Sequence, residues 1–174
     1  RNSIIEKIMA YKEEYGMPIL QPQQEAKQAA RLEEKLEDNK YREEIKDIFE
    51  CIRMNSKKIQ ARKLFDYNIV MIGFMGAGKS TVAEYLSTMF AMEVVEMDQE
   101  IVKEEGMSIP DIFETYGEEY FRNRETELLK KMQNRKNVLI SCGGGVALRE
   151  CNVEQMKKNG RVVLLTDSPE EVYE

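Results

Sequence analysis

The chain has 174 residues, of which 42% are hydrophobic and 33% charged, a balance that suits one folded domain or two small ones and excludes a disordered tract. It contains no histidine, which removes imidazole chemistry, and no apolar run near the roughly 20 residues of a membrane span. The net charge of −6 is uneven, with residues 1–65 slightly basic and residues 66–174 strongly acidic, and neither part has the basic stripe that binds nucleic acid.

The first elements read as helices. Ile4, Ile5, Ile8, Tyr11 and Tyr15 recur at helical spacing until Gly16-Met17-Pro18 stops the run. Pro22 opens a second helix with apolar positions Ala26, Ala29, Leu32 and Leu36, and Asp38-Asn39 breaks it. A third starts near Tyr41 and carries Ile45, Ile48, Phe49, Ile52 and Ile59. Three helices of this length bury little core alone, so self-association, as a homodimer through this module, is expected.

Beyond residue 65 the pattern changes. Asn68–Ile72, Glu93–Val95, Val138–Ile140 and Val162–Leu165 are short runs rich in Val and Ile, each followed by glycine or acidic residues and then a helical pattern. Strand–helix alternation of this kind predicts an α/β domain with a parallel sheet covered on both faces. The expected organisation is therefore multidomain, an all-α module over 1–65 and an α/β module over 66–174. Cys51, Cys142 and Cys151 are odd in number and form no C-x-x-C pair, which fits reduced thiols in a cytoplasm. The chain opens on Arg1 rather than Met and ends just after Ser168-Pro169-Glu170-Glu171, a helix start with no helix behind it. It reads as a piece cut at both ends, incomplete for whatever chemistry each module performs.

Between the first strand and its helix stands MIGFMGAGKST, in which Gly73 to Ser80 spell G-x-x-x-x-G-K-S. Such a loop wraps phosphate oxygens with backbone N–H groups and the positive end of the next helix. Gly73, Met75, Gly76, Ala77, Gly78, Lys79, Ser80 and Thr81 are the ATP-binding candidates. Lys79 would reach the β/γ-phosphates and Ser80 would ligate Mg²⁺. Three more stretches stand out: Glu96-Met97-Asp98 on the loop after the second strand, Phe121-Arg122-Asn123-Arg124-Glu125 on a later helix, and Gly143-Gly144-Gly145 after the third strand.

In this order behind a phosphate loop they resemble shikimate kinase. The resemblance implies ATP phosphorylating the 3-hydroxyl of shikimate. It places Asp98 on the substrate hydroxyls in the position of a base, Arg122 on the substrate carboxylate with Glu125 holding it, and Gly143, Gly144 and Gly145 as backbone donors near the substrate. Glu96 stands where the family usually has an Asp that meets Mg²⁺ through water. The family's lid arginine, second carboxylate arginine and adenine segment would lie beyond Glu174. Another small-molecule kinase of the phosphate-loop class, with the helical module as a dimerisation arm only, is the rival reading.

The helical module carries polar residues on its apolar stripes. Arg1, Ile5, Ile8 and Lys12 share one face, as do Glu25, Ala29, Leu32 and Leu36, and Phe49, Ile52, Ser56 and Ile59 with Gln60 adjoining. Two cations, a carboxylate, a hydroxyl and an amide on converging faces suit a small dianion bearing a hydroxyl. YKEEYGMPI at Tyr11–Ile19, Glu25 and S-x-x-x-Q at Ser56–Gln60 resemble the all-helical chorismate mutase family. That resemblance implies conversion of chorismate to prephenate, with Arg1 and Ser56 on carboxylates, Lys12 on carboxylate and ether oxygen, Glu25 on the hydroxyl and Gln60 on the ether oxygen. Gln21 and Gln24 replace the family's usual Asp and Arg.

Overall fold

The computed structural model describes residues 2–18 and 21–166. The chain divides into two compact units, Arg1–Lys63 and Leu64–Glu174. Arg1 and the Ser168-Pro169 helix signal fall outside the described residues.

In the first unit the described residues form α1 (Asn2–Glu14), α2 (Pro22–Lys35) and α3 (Arg42–Leu64). Gly16 ends α1 with a left-handed backbone, φ +63°, which lets the Met17 N–H reach back to the Lys12 carbonyl at 2.8 Å. Pro22 opens α2. The apolar stripes expected from spacing are only partly realised. Among the described side chains of α1 Met9 is the buried one, whereas Ile4, Ile8, Tyr11 and Tyr15 are exposed. Ala26 and Ala29 are also exposed, and no described residue of α2 is buried. The physical reason is size: three helices lack the bulk to close over every apolar side chain. Ion pairs tie α2 to α3 instead, Glu33 to Arg42 and Lys46 at 2.6 Å each, and Glu25 to Lys57 at 3.0 Å.

The second unit holds β1 (Asn68–Gly73), α4 (Lys79–Phe90), β2 (Glu93–Glu96), α5 (Met97–Glu105), α6 (Ile109–Tyr116), α7 (Glu118–Met132), β3 (Val138–Ser141), α8 (Glu150–Asn159) and β4 (Gly160–Leu165). Among the described residues the strands form one parallel sheet in the order β2-β3-β1-β4. Val70, Val95 and Ile140 of the sheet pack with Ile101, Ile112, Phe121, Leu128 and Met156 of the helices in one buried cluster. Asn68 is buried at the start of β1, where its side-chain amide donates to the Met132 and Arg135 carbonyls and its oxygen accepts from the Val138 N–H. A buried amide satisfied in this way fixes where β3 begins beside β1. One expectation is corrected: Asp98 is not on a loop. Glu96 is the last residue of β2, and the chain turns directly into α5, with Asp98 in its first turn.

Candidate active sites

The sheet order brings the ends of β1, β2 and β3 side by side. Their carboxyl edge, where open α/β sheets hold ligands, therefore joins the phosphate loop to the two acids and the glycine run. The loop owes its form to glycines in left-handed backbone, Gly76 at φ +88° and Gly78 at φ +75°, the latter preceding α4. Met75, Gly76, Gly78, Lys79, Ser80 and Thr81 line an open pocket of about 430 Å³, together with Glu96, Asp98, Ser141, Cys142, Gly143 and Gly144. The Lys79 ammonium donates to the Gly73 and Phe74 carbonyls at 2.9 and 2.6 Å, across the mouth of its own loop.

Four expected residues stand off this wall: Gly73, Ala77, Arg122 and Gly145. Gly73 serves the sheet. Its φ is +150°, and a Cβ there would lie 2.4 Å from the Leu165 carbonyl oxygen of β4, so no other residue fits. Arg122 lies behind the glycine run. Its Nη2 donates to Glu118 Oε1 at 2.8 Å and its Nη1 to the Glu125 carboxylate at 3.1–3.2 Å.

The glycine run has a steric reason that the sequence did not reveal. A Cβ on Gly143 would sit 3.0 Å from Asp98 Oδ1, and one on Gly145 only 2.6 Å from Arg122 Nη1. Gly144, between them, meets nothing closer than 3.9 Å. Two of the three glycines thus leave space for the charged groups that the sequence singled out.

Electrostatics divide these groups. Burial pushes the Asp98 carboxyl above the usual aspartate value, Glu96 adds to the rise, and Lys79 and Arg122 oppose it. Asp98 remains exposed on its pocket side, so water tempers the effect of burial. Burial also raises the Glu125 carboxyl, against the pull of Arg122. For Arg122 burial acts downward, but hydrogen bonds to Glu118 and Glu125 outweigh it and hold the guanidinium charged. Burial pushes the Cys142 thiol up to about 12.

The helical unit has its own pocket of about 410 Å³. Lys12 from α1, Glu25 from α2, and Ser56 and Gln60 from α3 all line it. Arg1 is outside the described residues. The Ser56 hydroxyl donates to the Ile52 carbonyl at 3.0 Å, an attachment to its own helix that leaves the oxygen's acceptor sites available. Gln21 and Gln24 line the pocket too, and so do Arg53 and Lys57, which the sequence reading passed over. For Arg53 a signal was present: Phe49, Arg53, Ser56 and Gln60 follow i, i+4, i+7, i+11 on one helix face.

Comparison with known proteins bears on both units. A family model for shikimate kinase matches residues 75–174, and one for chorismate mutase type II matches residues 1–61. A shikimate kinase of Persephonella marina is 44% identical over 107 residues, 62% of this chain and 65% of the relative. One from Aquifex aeolicus is 46% identical over 105 residues, 60% of this chain and 62% of the relative. The solved structure of shikimate kinase from Acinetobacter baumannii in complex with shikimate superposes with a TM-score of 0.58 at 40% identity, covering 61% of this chain and 59% of that one. The chain thus spans less than two thirds of the length of these relatives.

Proposed function

The chain belongs to the shikimate kinase family, and from that premise we propose that its α/β unit transfers the γ-phosphoryl group of ATP to the 3-hydroxyl of shikimate. The observation that carries this is the pocket shared by the phosphate loop, Asp98, Gly143 and Gly144. Lys79 exchanges two loop carbonyls for phosphate oxygens as nucleotide binds. Asp98, with its raised pKa, accepts the proton of the attacking hydroxyl. The Arg122 fork pairs with the substrate carboxylate, and Glu125 and Glu118 hold it in place. The backbone of Gly143 and Gly144 lines the substrate side, and Gly145 leaves room for Arg122.

Mg²⁺ is part of this proposal. Ser80, Glu96 and Asp98 put hard oxygen donors on one wall, which suits an ion that arrives on the nucleotide and keeps several waters. Among the described residues no group of three His, Cys, Asp or Glu forms a protein-only cage. When bound, the ion neutralises phosphate charge. A coupled ADP-release assay with shikimate against other hydroxy acids tests the reading. In the full-length protein it requires turnover with shikimate that Lys79→Ala abolishes, and preference for another acceptor would overturn it.

For the helical unit we propose the rearrangement of chorismate to prephenate. Four polar groups from three helices converge on one pocket, as a unimolecular reaction that needs only positioning and charge stabilisation demands. Lys12 and Gln60 address the ether oxygen, Ser56 a carboxylate and Glu25 the hydroxyl. Arg1 is assigned to a carboxylate on sequence alone. Exposed Ile4, Ile8 and Ile48 support association of two copies through these helices. Free thiols at all three cysteines support a cytoplasmic setting, and among the described residues no helix is long and apolar enough to cross a membrane. Following chorismate loss by absorbance tests the assignment: Lys12→Ala must eliminate it, and retained activity would reduce the helices to a dimerisation arm.

A further inference from the structure

The helical pocket carries more positive charge than the residues read from the sequence account for. Lys12 faces it from α1, and Arg53 and Lys57 face it from α3, one turn apart. Glu25 is the acid on its wall among the described residues, while Gln21 and Gln24 make the α2 side neutral. The wall is therefore net positive by two, the charge that a dicarboxylate balances.

The two α3 cations are not equivalent. Lys57 is buried, and its ammonium lies 3.0 Å from Glu25 Oε2, so it is the partner that fixes this carboxylate. Arg53 Nη1 is 3.6 Å from the same oxygen, too far for a hydrogen bond. Its Nε and Nη2 instead grip Glu50 in a two-bond fork at 2.9 and 2.8 Å. Glu50 lies off the pocket wall and its side chain is 51% exposed. The arginine thus already holds one carboxylate in fork geometry, from the solvent side, while it faces the cavity.

We propose that Arg53 is a second carboxylate anchor of the helical pocket, exchanging Glu50 for a carboxylate of a cyclic dicarboxylate ligand. This rests on the mutase reading for the identity of the ligand. The exchange is favourable because an exposed ion pair contributes little, whereas a ligand carboxylate on the same fork also meets the net positive pocket wall. Lys57 acts as a positioning residue, holding Glu25 aimed at the ligand so that Arg53 is not consumed by it.

The test uses the full chain with Arg53→Gln, Arg53→Lys and Glu50→Gln. Calorimetric binding of prephenate, a dicarboxylate that does not rearrange in this site, is measured beside the KM for chorismate. Arg53→Gln should weaken prephenate binding and raise KM about 10- to 100-fold, the usual effect of losing a charged hydrogen-bonded contact. Arg53→Lys should recover part of this, because charge remains without the fork. Glu50→Gln should bind prephenate as tightly as the parent or about 2- to 5-fold more tightly, since it releases a weak competitor. A structural role for the ion pair predicts the opposite, equal losses for Arg53→Gln and Glu50→Gln, and that result overturns the proposal. So does an unchanged KM in Arg53→Gln when the parent rearranges chorismate, and in that case the mutase reading survives. A parent chain that neither binds prephenate nor consumes chorismate removes the mutase reading and this anchor together.

Discussion

Gly145→Ala tests whether the glycine run exists to seat Arg122. The new methyl would begin 2.6 Å from Nη1 and 2.8 Å from Cζ and Nη2, whereas ordinary contact starts at 3.4 Å, so the guanidinium must retreat by about 0.8 Å. It cannot do so freely: Nη1 is bound to the Glu125 carboxylate at 3.1–3.2 Å and Nη2 to Glu118 at 2.8 Å. The backbone itself tolerates alanine, with φ −85° at Gly145, and the group that yields is the end of a long side chain. The fold should therefore lose no more than about 1 kcal/mol, within the range of ordinary substitutions. Shikimate affinity should fall about 10- to 100-fold, because a fork displaced by that distance forfeits a charge-assisted contact. The parent chain is the control. Calorimetry with shikimate in the presence of ADP reads the effect, and ADP affinity alone should be unchanged. Equal shikimate affinity in Gly145→Ala and the parent would refute the argument that Arg122 needs this space.

Other expectations follow from the same geometry. Lys79→Ala should weaken Mg-ADP binding by roughly 1.5–3 kcal/mol, the value of a charged hydrogen bond, and equal calorimetric affinities would remove Lys79 from the nucleotide site. Because burial and then Glu96 raise Asp98, kcat/KM for shikimate should fall with acidity at a pH above the ordinary aspartate value. Glu96→Gln deletes one raising charge and should move that acid limb to lower pH; an upward shift would contradict the assigned cause. With Cys142 pushed up to about 12 from 9.0 and Cys51 and Cys151 exposed, a thiol reagent at pH 8 should titrate two groups in the folded chain and a third after unfolding. Between those two values the folded state keeps a proton that the unfolded state loses, so stability should decline above pH 9, by at most about 1.4 kcal/mol per pH unit. A flat profile there in comparison with Cys142→Ala would show that the thiol does not contribute.

The phosphate loop, the strand–helix alternation and the three helices were legible because each rests on local spacing. Lys12, Glu25, Ser56 and Gln60 were legible as a set because polar residues on apolar stripes must meet somewhere. What spacing could not show was which side chains lack space or partners in three dimensions. Gly145 faces Arg122 from a different element, so the reason for that glycine is not local. Met9 rather than Ile8 is buried because the neighbouring helices, not the period alone, decide which flank of a stripe is covered. Arg53 and Lys57 went unnoticed because charge on α3 is abundant, and only the position of Glu25 on α2 distinguishes them. Asp98 was assigned to a loop because an acid after a strand signals a turn, yet the same acid favours a helix start.

The close approach of Leu165 to Gly73 bears on how the protein is made. The phosphate loop leaves β1 at a glycine whose conformation is held against β4, the last described strand to be synthesised. During translation the loop sequence emerges early, but the wall that shapes its first residue arrives only with residues 160–165. Nucleotide binding is therefore expected to depend on a finished sheet as well as on the loop. Nascent chains stalled before β4 should gain no protease resistance from ADP, and chains that have paired β4 with β1 should. In the cell, ATP would then act on this unit as a late folding ligand, retaining molecules whose strands have closed and leaving the others to proteolysis.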